Sequence, residues 1–109
     1  MFHMLTCFNL QPRITIEEFS QAIDNLTTHL KTGKLLDSTG PIGRRQRDTI
    51  MDTDSERNHE YFVLMSFQDR AQCDRAVEHI RPQGEPGVSI HKAVYSKVLD
   101  PIFICWDDL

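Results

Sequence analysis

His91 and Tyr95 are the residues of this chain whose types and spacing best suit proton chemistry. An imidazole can take a proton from a bound molecule near neutral pH, and a phenol can orient that molecule by a hydrogen bond. Apolar and polar residues alternate along positions 88–98, which predicts a strand with both side chains on the face opposite the more apolar set. The alternative for His91 is a sheet-face imidazole paired to water or to a carboxylate.

The other potential metal ligands and nucleophiles are scattered along the chain. The five histidines show none of the H-x-H, H-x-x-H or H-x-x-x-H spacings of metal sites. Cys7, Cys73 and Cys105 are odd in number and form no C-x-x-C pair, so the sequence predicts reduced thiols, with Cys7 in the core. We therefore expect neither a metal nor a cofactor.

The clustered cations have two interpretations, and the two helix-end histidines have a structural one. Arg44, Arg45 and Arg47 either protect an exposed strand edge or bind an anionic ligand through their guanidinium groups, and Arg45 is the candidate ligand-binding residue. His29 and His79 fall in the last turns of two predicted helices, where a solvent-facing imidazole complements the helix dipole.

Composition and charge narrow the class of protein. The 109 residues, 39% hydrophobic and 26% charged, fit a single soluble domain over positions 1–109. A net charge of -4 disfavours a nucleic-acid or anionic-membrane surface, because both need Lys and Arg to neutralise phosphates. The N-terminus lacks the features of a secretory signal, and no apolar run reaches membrane-spanning length. We expect a cytoplasmic protein.

The first half of the chain contains two strands and one helix. Residues 2–10 are apolar and aromatic, which indicates a strand. Thr15 and Glu18 form a capping-box pair before a helical apolar repeat that ends at Gly33. Positions 35–47 predict an edge strand that the glycines and proline at 40–43 break.

The second half repeats this pattern. An exposed polar loop at 48–59 precedes a strand at 60–67 and a helix that Asp69 caps. Pro82, Gly84 and the residues up to 87 end this helix, whose buried side carries Ala76, Val77 and Ile80. The strand at 88–98 follows, and positions 99–109 form a C-terminal extension that packs on the subunit or its partner through its apolar residues.

This element order predicts a ferredoxin-like α+β domain, with a four-stranded antiparallel sheet and two helices on one face. The strands are apolar on both sides, although helices cover only one. Two such sheets packed face to face by two-fold symmetry would bury the uncovered surface, so we expect a homodimer. Phe2, Met4, Phe8, Phe62 and Leu64 are assigned to the uncovered face, and Val63, Met65 and Phe67 to the other.

With this order and these two-sided strands, residues 2–98 resemble subunits of the dimeric α+β barrel superfamily, in which two ferredoxin-like sheets form one barrel. The superfamily includes cofactor-independent monooxygenases, isomerases, heme-degrading enzymes and stress proteins, so the resemblance implies a fold more than an activity. We expect binding of a small apolar or aromatic molecule in the barrel, the alternative being a cofactor-independent monooxygenase or isomerase. The predicted ligand-binding residues are Thr6, Phe8, Phe62, Leu64, Ser66 and Arg45, with His91 and Tyr95 catalytic if the protein is an enzyme.

The segment from Phe67 to Arg70 is also similar to part of an RNA-recognition motif, which shares the topology. That family stacks bases on exposed aromatics of its central strands and places a basic residue at the start of the third strand. Phe62 fills one stacking position, whereas Leu64 and Thr6 occupy the other two. Glu60 stands where the basic residue belongs, so RNA binding is disfavoured.

Overall fold

The computed structural model describes residues 1–81 and 86–109, in which five strands and three helices follow one another. The elements are β1 (Phe2–Leu10), α1 (Ile16–Thr32), β2 (Ser38–Thr39), β3 (Gly43–Arg44), β4 (Tyr61–Phe67), α2 (Arg70–Ile80), α3 (Gly87–Tyr95) and β5 (Val98–Asp107). Within the described ranges, no helix has the length and apolar character needed to cross a membrane.

Helix α1 begins and ends as its sequence predicts. The Thr15 hydroxyl oxygen accepts the Glu18 backbone N–H at 3.1 Å, and Gly33 follows the last turn. Both features satisfy backbone groups that a helix end leaves without partners. The apolar side of α1 is buried and consists of Phe19, Ala22, Ile23, Leu26 and Leu30.

Helix α2 also has its predicted cap, since the Asp69 carboxylate accepts the Gln72 N–H at 2.8 Å. Ala76 is buried and Ile80 packs against the core, whereas Val77 lies on the same side of the helix but is 40% exposed. The helix ends at Ile80. Pro82 and Gly84, which were predicted to end it, lie outside the described residues.

The strands form one antiparallel sheet in the order β2-β4-β1-β5, with β3 also paired to β4. Because β2 and β3 follow one another along the same edge of β4, the broken edge strand is confirmed. The ferredoxin-like fold class is also confirmed. Helices α1, α2 and α3 all pack on one face of the sheet, where the sequence predicts two helices.

The strand predicted at 88–98 is wrong, because most of that segment forms α3. Ile90 and Val94 alternate with polar residues but are also four positions apart, which places them on one side of a helix. Both pack against the core. A Cβ atom at Gly87 would lie 2.9 Å from the His79 carbonyl oxygen, so the close approach of α3 to α2 needs glycine there.

Residues 99–109, predicted as a C-terminal extension, supply most of β5, which pairs with β1. The register shifts between Cys7 and Asn9 of β1, so that Asp100 and Pro101 together oppose one residue of β1. This is a β-bulge, at which Asp100 adopts a positive φ of 53°. The strand tolerates Pro101 because β5 is an edge strand, and the bulge allows pairing to continue beyond the proline.

The pairing of β1 with β4 decides which residues share a face of the sheet. Phe8 lies opposite Tyr61, and Cys7 lies opposite Phe62. Directly opposed residues of an antiparallel pair point to the same side. The helices cover the face that contains Phe8, Val63, Met65 and Phe67, here called the covered face. The other, here called the open face, contains Leu5, Cys7, Phe62, Leu64, Ile102, Ile104 and Trp106.

The register corrects half of the predicted face assignment. Phe62, Leu64 and Ser66 lie on the open face, as predicted. The residues of β1 that were grouped with them lie on the covered face instead, because a shift of one residue exchanges the two sides of a strand. These are Phe2, Met4, Thr6 and Phe8.

Candidate functional site

A cavity of about 100 Å³ lies between the covered face and the three helices and is here called the helix-side cavity. Its walls are mainly apolar because the core side chains of the sheet and of all three helices converge there. Thr6, His91 and Tyr95 bring polar groups to its lining. Among its apolar lining residues are Phe19, Leu26, Val63, Ala76 and Val94. This composition, apolar with a few polar groups, is typical of sites for small organic molecules.

Two of these polar residues, His91 and Tyr95, are one helical turn apart on α3, with ring centroids separated by 5.1 Å. Burial lowers the pKa of His91 and so favours its neutral imidazole. Tyr95 is 51% exposed and Phe103 is 58% exposed, so these two cavity residues also reach the surface. A neutral imidazole beside a phenol can hold a hydroxyl group or accept a proton inside this cavity.

The structure divides the predicted site between the two faces. Thr6, His91 and Tyr95 meet in the helix-side cavity, while Phe8 is fully buried in the core. The expectation that His91 and Tyr95 point into a dimer barrel is wrong, because they belong to a helix on the covered face and not to a strand. The remaining predicted residues, Phe62, Leu64, Ser66 and Arg45, lie elsewhere.

A second concavity, of about 550 Å³, lies on the open face and is here called the open-face recess. Cys7, Phe62 and Ile104 contribute from the sheet, and the loop at 45–59 supplies the rest of the lining. Burial raises the pKa of Cys7, which favours an unreactive thiol there. The loop is largely exposed, as its polar sequence predicts, but Asp52 and Asp54 are half-buried and His59 is buried where the loop lines the recess.

Arg45 holds this loop in place with most of its hydrogen-bonding capacity. Its guanidinium donates two hydrogen bonds of 2.7 Å to the Asp52 carboxylate and further bonds to the carbonyl oxygens of Asp54 and Arg57. The hydrogen bond from Arg45 lowers the pKa of Asp52. A hydrogen bond from Arg57 likewise lowers the pKa of Asp54, to about 2. Arg45 is therefore committed to the loop rather than free to bind an anion.

His59 and His3 occupy the open face and are not indicated by any sequence motif. His59 is 5% exposed and its Nε2 donates to the Asp100 carbonyl oxygen at 2.7 Å, which joins the start of β4 to the bulge of β5. His3 lies between the Ser66 hydroxyl at 2.8 Å and the Asp108 carboxylate at 2.9 Å. Their partners are distant in sequence, so residue spacing could not reveal these contacts.

The Ser66–His3–Asp108 chain has the residue types of a nucleophilic triad, but its surroundings favour a structural role. Ser66 is 8% exposed within β4, between two neighbouring strands. The hydrogen bond from His3 lowers the pKa of Asp108. The same hydrogen bond holds the end of β5 beside β1. The Ser66–His3–Asp108 hydrogen bonds therefore stabilise the edge of the sheet.

The two helix-end histidines contact one another, which contradicts the prediction that each faces solvent. His29 Nε2 and His79 Nε2 are 2.8 Å apart and their rings stack at 5.0 Å. The contact joins the last turns of α1 and α2, and both imidazoles are half-buried. Among residues 1–81 and 86–109, no three His, Cys, Asp or Glu side chains are grouped to hold a metal, and all three cysteines are free.

Comparisons with known proteins identify the fold. No protein-family model and no curated protein matches the sequence. At3g17210 from Arabidopsis thaliana has a TM-score of 0.77 at 7% identity over 100% of this chain and 96% of that chain. A dimeric ferredoxin-like protein of unknown function from Jannaschia sp. CCS1 has a TM-score of 0.70 at 13% identity over 98% of each chain. SnoaB, a cofactor-independent oxygenase from Streptomyces nogalater, has a TM-score of 0.62 at 7% identity over 99% and 92%.

These matches confirm the ferredoxin-like fold that the resemblance to the dimeric α+β barrel superfamily implied. They cover essentially the whole chain, including α3 and β5. At such low identities they carry no residue roles from one protein to another. The chain has the subunit fold of dimeric ferredoxin-like proteins, and its function has to be inferred from its own cavities.

Proposed function

We propose that the protein is a homodimer in which each subunit binds a small, largely apolar molecule in its helix-side cavity. The observation that supports this most is the convergence of His91 and Tyr95 on one apolar cavity beside Thr6. Apolar walls would bind the body of the molecule by excluding water, and the imidazole and phenol would orient a single polar group.

The volume of the helix-side cavity limits the size of the ligand. At about 100 Å³ it is smaller than the roughly 150 Å³ of an apolar cavity that admits benzene. A bound ring therefore requires lining side chains to move outward, and Tyr95 and Phe103, at 51% and 58% exposed, are the lining residues that reach the surface. The ligand is therefore a single ring or a short chain.

The open face supports the proposed homodimer. Ile102, Ile104 and Trp106 are 37%, 48% and 41% exposed, and they adjoin the apolar residues Leu5, Phe62 and Leu64. Exposed apolar surface of this extent is usually an interface. A second copy of the chain matches it because the same face is self-complementary under two-fold symmetry. The dimeric protein from Jannaschia sp. CCS1 supports this choice of partner.

A cavity-filling variant tests the ligand proposal. Ala76 is buried at the cavity wall, so Ala76→Leu adds three carbon atoms inside the cavity. Ala71→Leu makes the same change on the exposed side of α2 and is the matched control. Titration of toluene, phenol and p-cresol, followed by thermal unfolding and amide NMR shifts, should show binding to wild type and to Ala71→Leu, and loss of binding in Ala76→Leu. Equal binding by all three proteins, or none by wild type, contradicts the proposal.

A second candidate is a cofactor-independent enzyme acting on the same class of molecule. It is favoured by the lowered pKa of His91, which keeps a proton acceptor beside Tyr95 at neutral pH. In this case, His91→Ala should abolish turnover of a phenolic substrate while toluene still binds. Retained turnover in His91→Ala would remove His91 from the mechanism.

A further inference from the structure

His59 lines the open-face recess with one of its two ring nitrogens unsatisfied. Nε2 faces a carbonyl oxygen, which can only accept, so Nε2 carries the proton and Nδ1 of the neutral ring is an acceptor. Nδ1 is buried and has no hydrogen-bond partner among residues 1–81 and 86–109. Buried polar atoms without a partner are rare in folded proteins and call for an explanation.

The charges around the recess cancel. Arg45 pairs with Asp52, and Arg57 pairs with Asp54 at 2.7 Å, so two cations face two carboxylates. Cys7, Phe62 and Ile104 provide an apolar lining from the sheet. The recess therefore has an apolar wall, a neutral rim and, in the His59 of its lining, one buried acceptor without a partner, which suits an uncharged molecule with one hydrogen-bond donor and disfavours an anion.

We propose that the open-face recess is a second binding site, for an uncharged aromatic alcohol whose hydroxyl donates to Nδ1 of His59. This inference rests on the proposed function, because the second subunit of the homodimer closes the recess over the bound ring. The site differs from the helix-side cavity in position, since the sheet separates the two. It also differs in chemistry, because its polar contact is a fixed acceptor.

Phenol and toluene form a matched pair of probes, since toluene has a similar ring and no donor. On wild-type protein labelled with ¹⁵N, titration with phenol should shift the Nδ1 resonance of His59 and the amides of Cys7 and Ile104. Toluene should leave the His59 resonance unchanged while shifting residues of the helix-side cavity. If phenol leaves His59 Nδ1 unchanged, or if both probes shift it equally, the proposed site is overturned.

His59→Gln tests the role of Nδ1 apart from that of Nε2. A glutamine amide can replace the Nε2 donor to Asp100, and it has no acceptor at the Nδ1 position. Phenol should bind the recess of this variant about tenfold or more weakly, equivalent to about 1.4 kcal/mol, with toluene binding unchanged. In His91→Ala, the phenol shift at His59 should persist. Loss of this shift in His91→Ala, together with an unchanged phenol affinity in His59→Gln, would place phenol in the helix-side cavity alone and overturn this inference only.

The mass of the protein in the same sample distinguishes this inference from the proposed function. A dimer that shows no His59 shift overturns the second site and leaves the proposed homodimer intact. A monomer overturns the proposed homodimer, and with it the closed recess, whatever the shift. A dimer with the phenol-specific shift supports both.

Discussion

The two faces of one sheet have nearly the same apolar character but different environments. On the covered face, Phe8 is 0% exposed and Val63 is 3% exposed, because three helices pack over them. On the open face, Phe62 and Leu64 flank Val63 along β4 and are half-buried, and Ile104 is 48% exposed. The apolar side chains thus favour burial of both faces of the sheet, whereas the helices of a single subunit bury only one.

Polar groups differ between the faces in a corresponding way. Those of the open face are largely engaged with one another, as in Arg45 with Asp52 and His3 with Ser66. The polar groups of the covered face, His91 and Tyr95, line a cavity. The covered face therefore suits a small molecule within one subunit, and the open face suits a rigid interface that would enclose the open-face recess.

The largest effect should come from truncating one aromatic residue on each face. Phe8→Ala removes a ring from the closed core and should lower the free energy of unfolding by about 3–5 kcal/mol. Phe62→Ala should cost the subunit less and instead raise the dissociation constant of the dimer about tenfold or more. Denaturant unfolding and sedimentation at several concentrations measure both quantities. Equal effects of the two substitutions on unfolding, with no change in association, would remove the distinction between the faces.

A smaller effect on the free energy of unfolding is expected from the N-cap of α2, one of the helices on the covered face. Asp69→Ala removes the side-chain cap of α2 and should lower the free energy of unfolding by about 1 kcal/mol. Asp69→Asn keeps an acceptor oxygen and is the control, with a change of a few tenths at most. Helix α3 has no side-chain cap in its first turn, so α2 is the better test. An Asn variant as unstable as the Ala variant would argue against the cap.

The smallest effect concerns the protonation of His91. Because burial lowers its pKa in the folded state, the unfolded chain binds the proton more readily. Stability should therefore fall as pH decreases from the unfolded pKa near 6.5 towards the lower folded value, and should show no contribution from His91 above that window. His91→Gln should reduce the acid-side slope of the free energy of unfolding, measured by denaturant titrations between pH 5 and 8. An unchanged slope contradicts the cause given for the shift.

Much of the fold was predictable because its signals are local. Thr15 and Asp69 cap helices through residues three positions away, and the broken edge strand follows from its glycines and proline. The exception is the segment after α2. Ile90 and Val94 satisfy both a strand and a helical pattern, and only packing against α1 and α2 selects the helix. Pro101 lies within β5, where a bulge at an edge strand accommodates it.

The site was less predictable because it depends on register and on distant contacts. His91 and Tyr95 were identified as a pair, which helical spacing preserves, but their face was reversed once the strand became a helix. Thr6 was assigned to the wrong side of the sheet because a single sequence does not fix the pairing of β1 with β4. His59 lies 41 residues from its partner, a contact that no spacing rule contains.

The solution mass of the wild-type protein tests the difference between the two faces most directly. Light scattering after gel filtration at micromolar concentration should give twice the chain mass of 12.7 kDa. Leu64→Asp places a charge in the open face and should reduce the mass to that of one chain, while Ile50→Asp, at a residue that is 92% exposed, should not. A wild-type mass of 12.7 kDa would show that the open face remains in water, and would contradict the account.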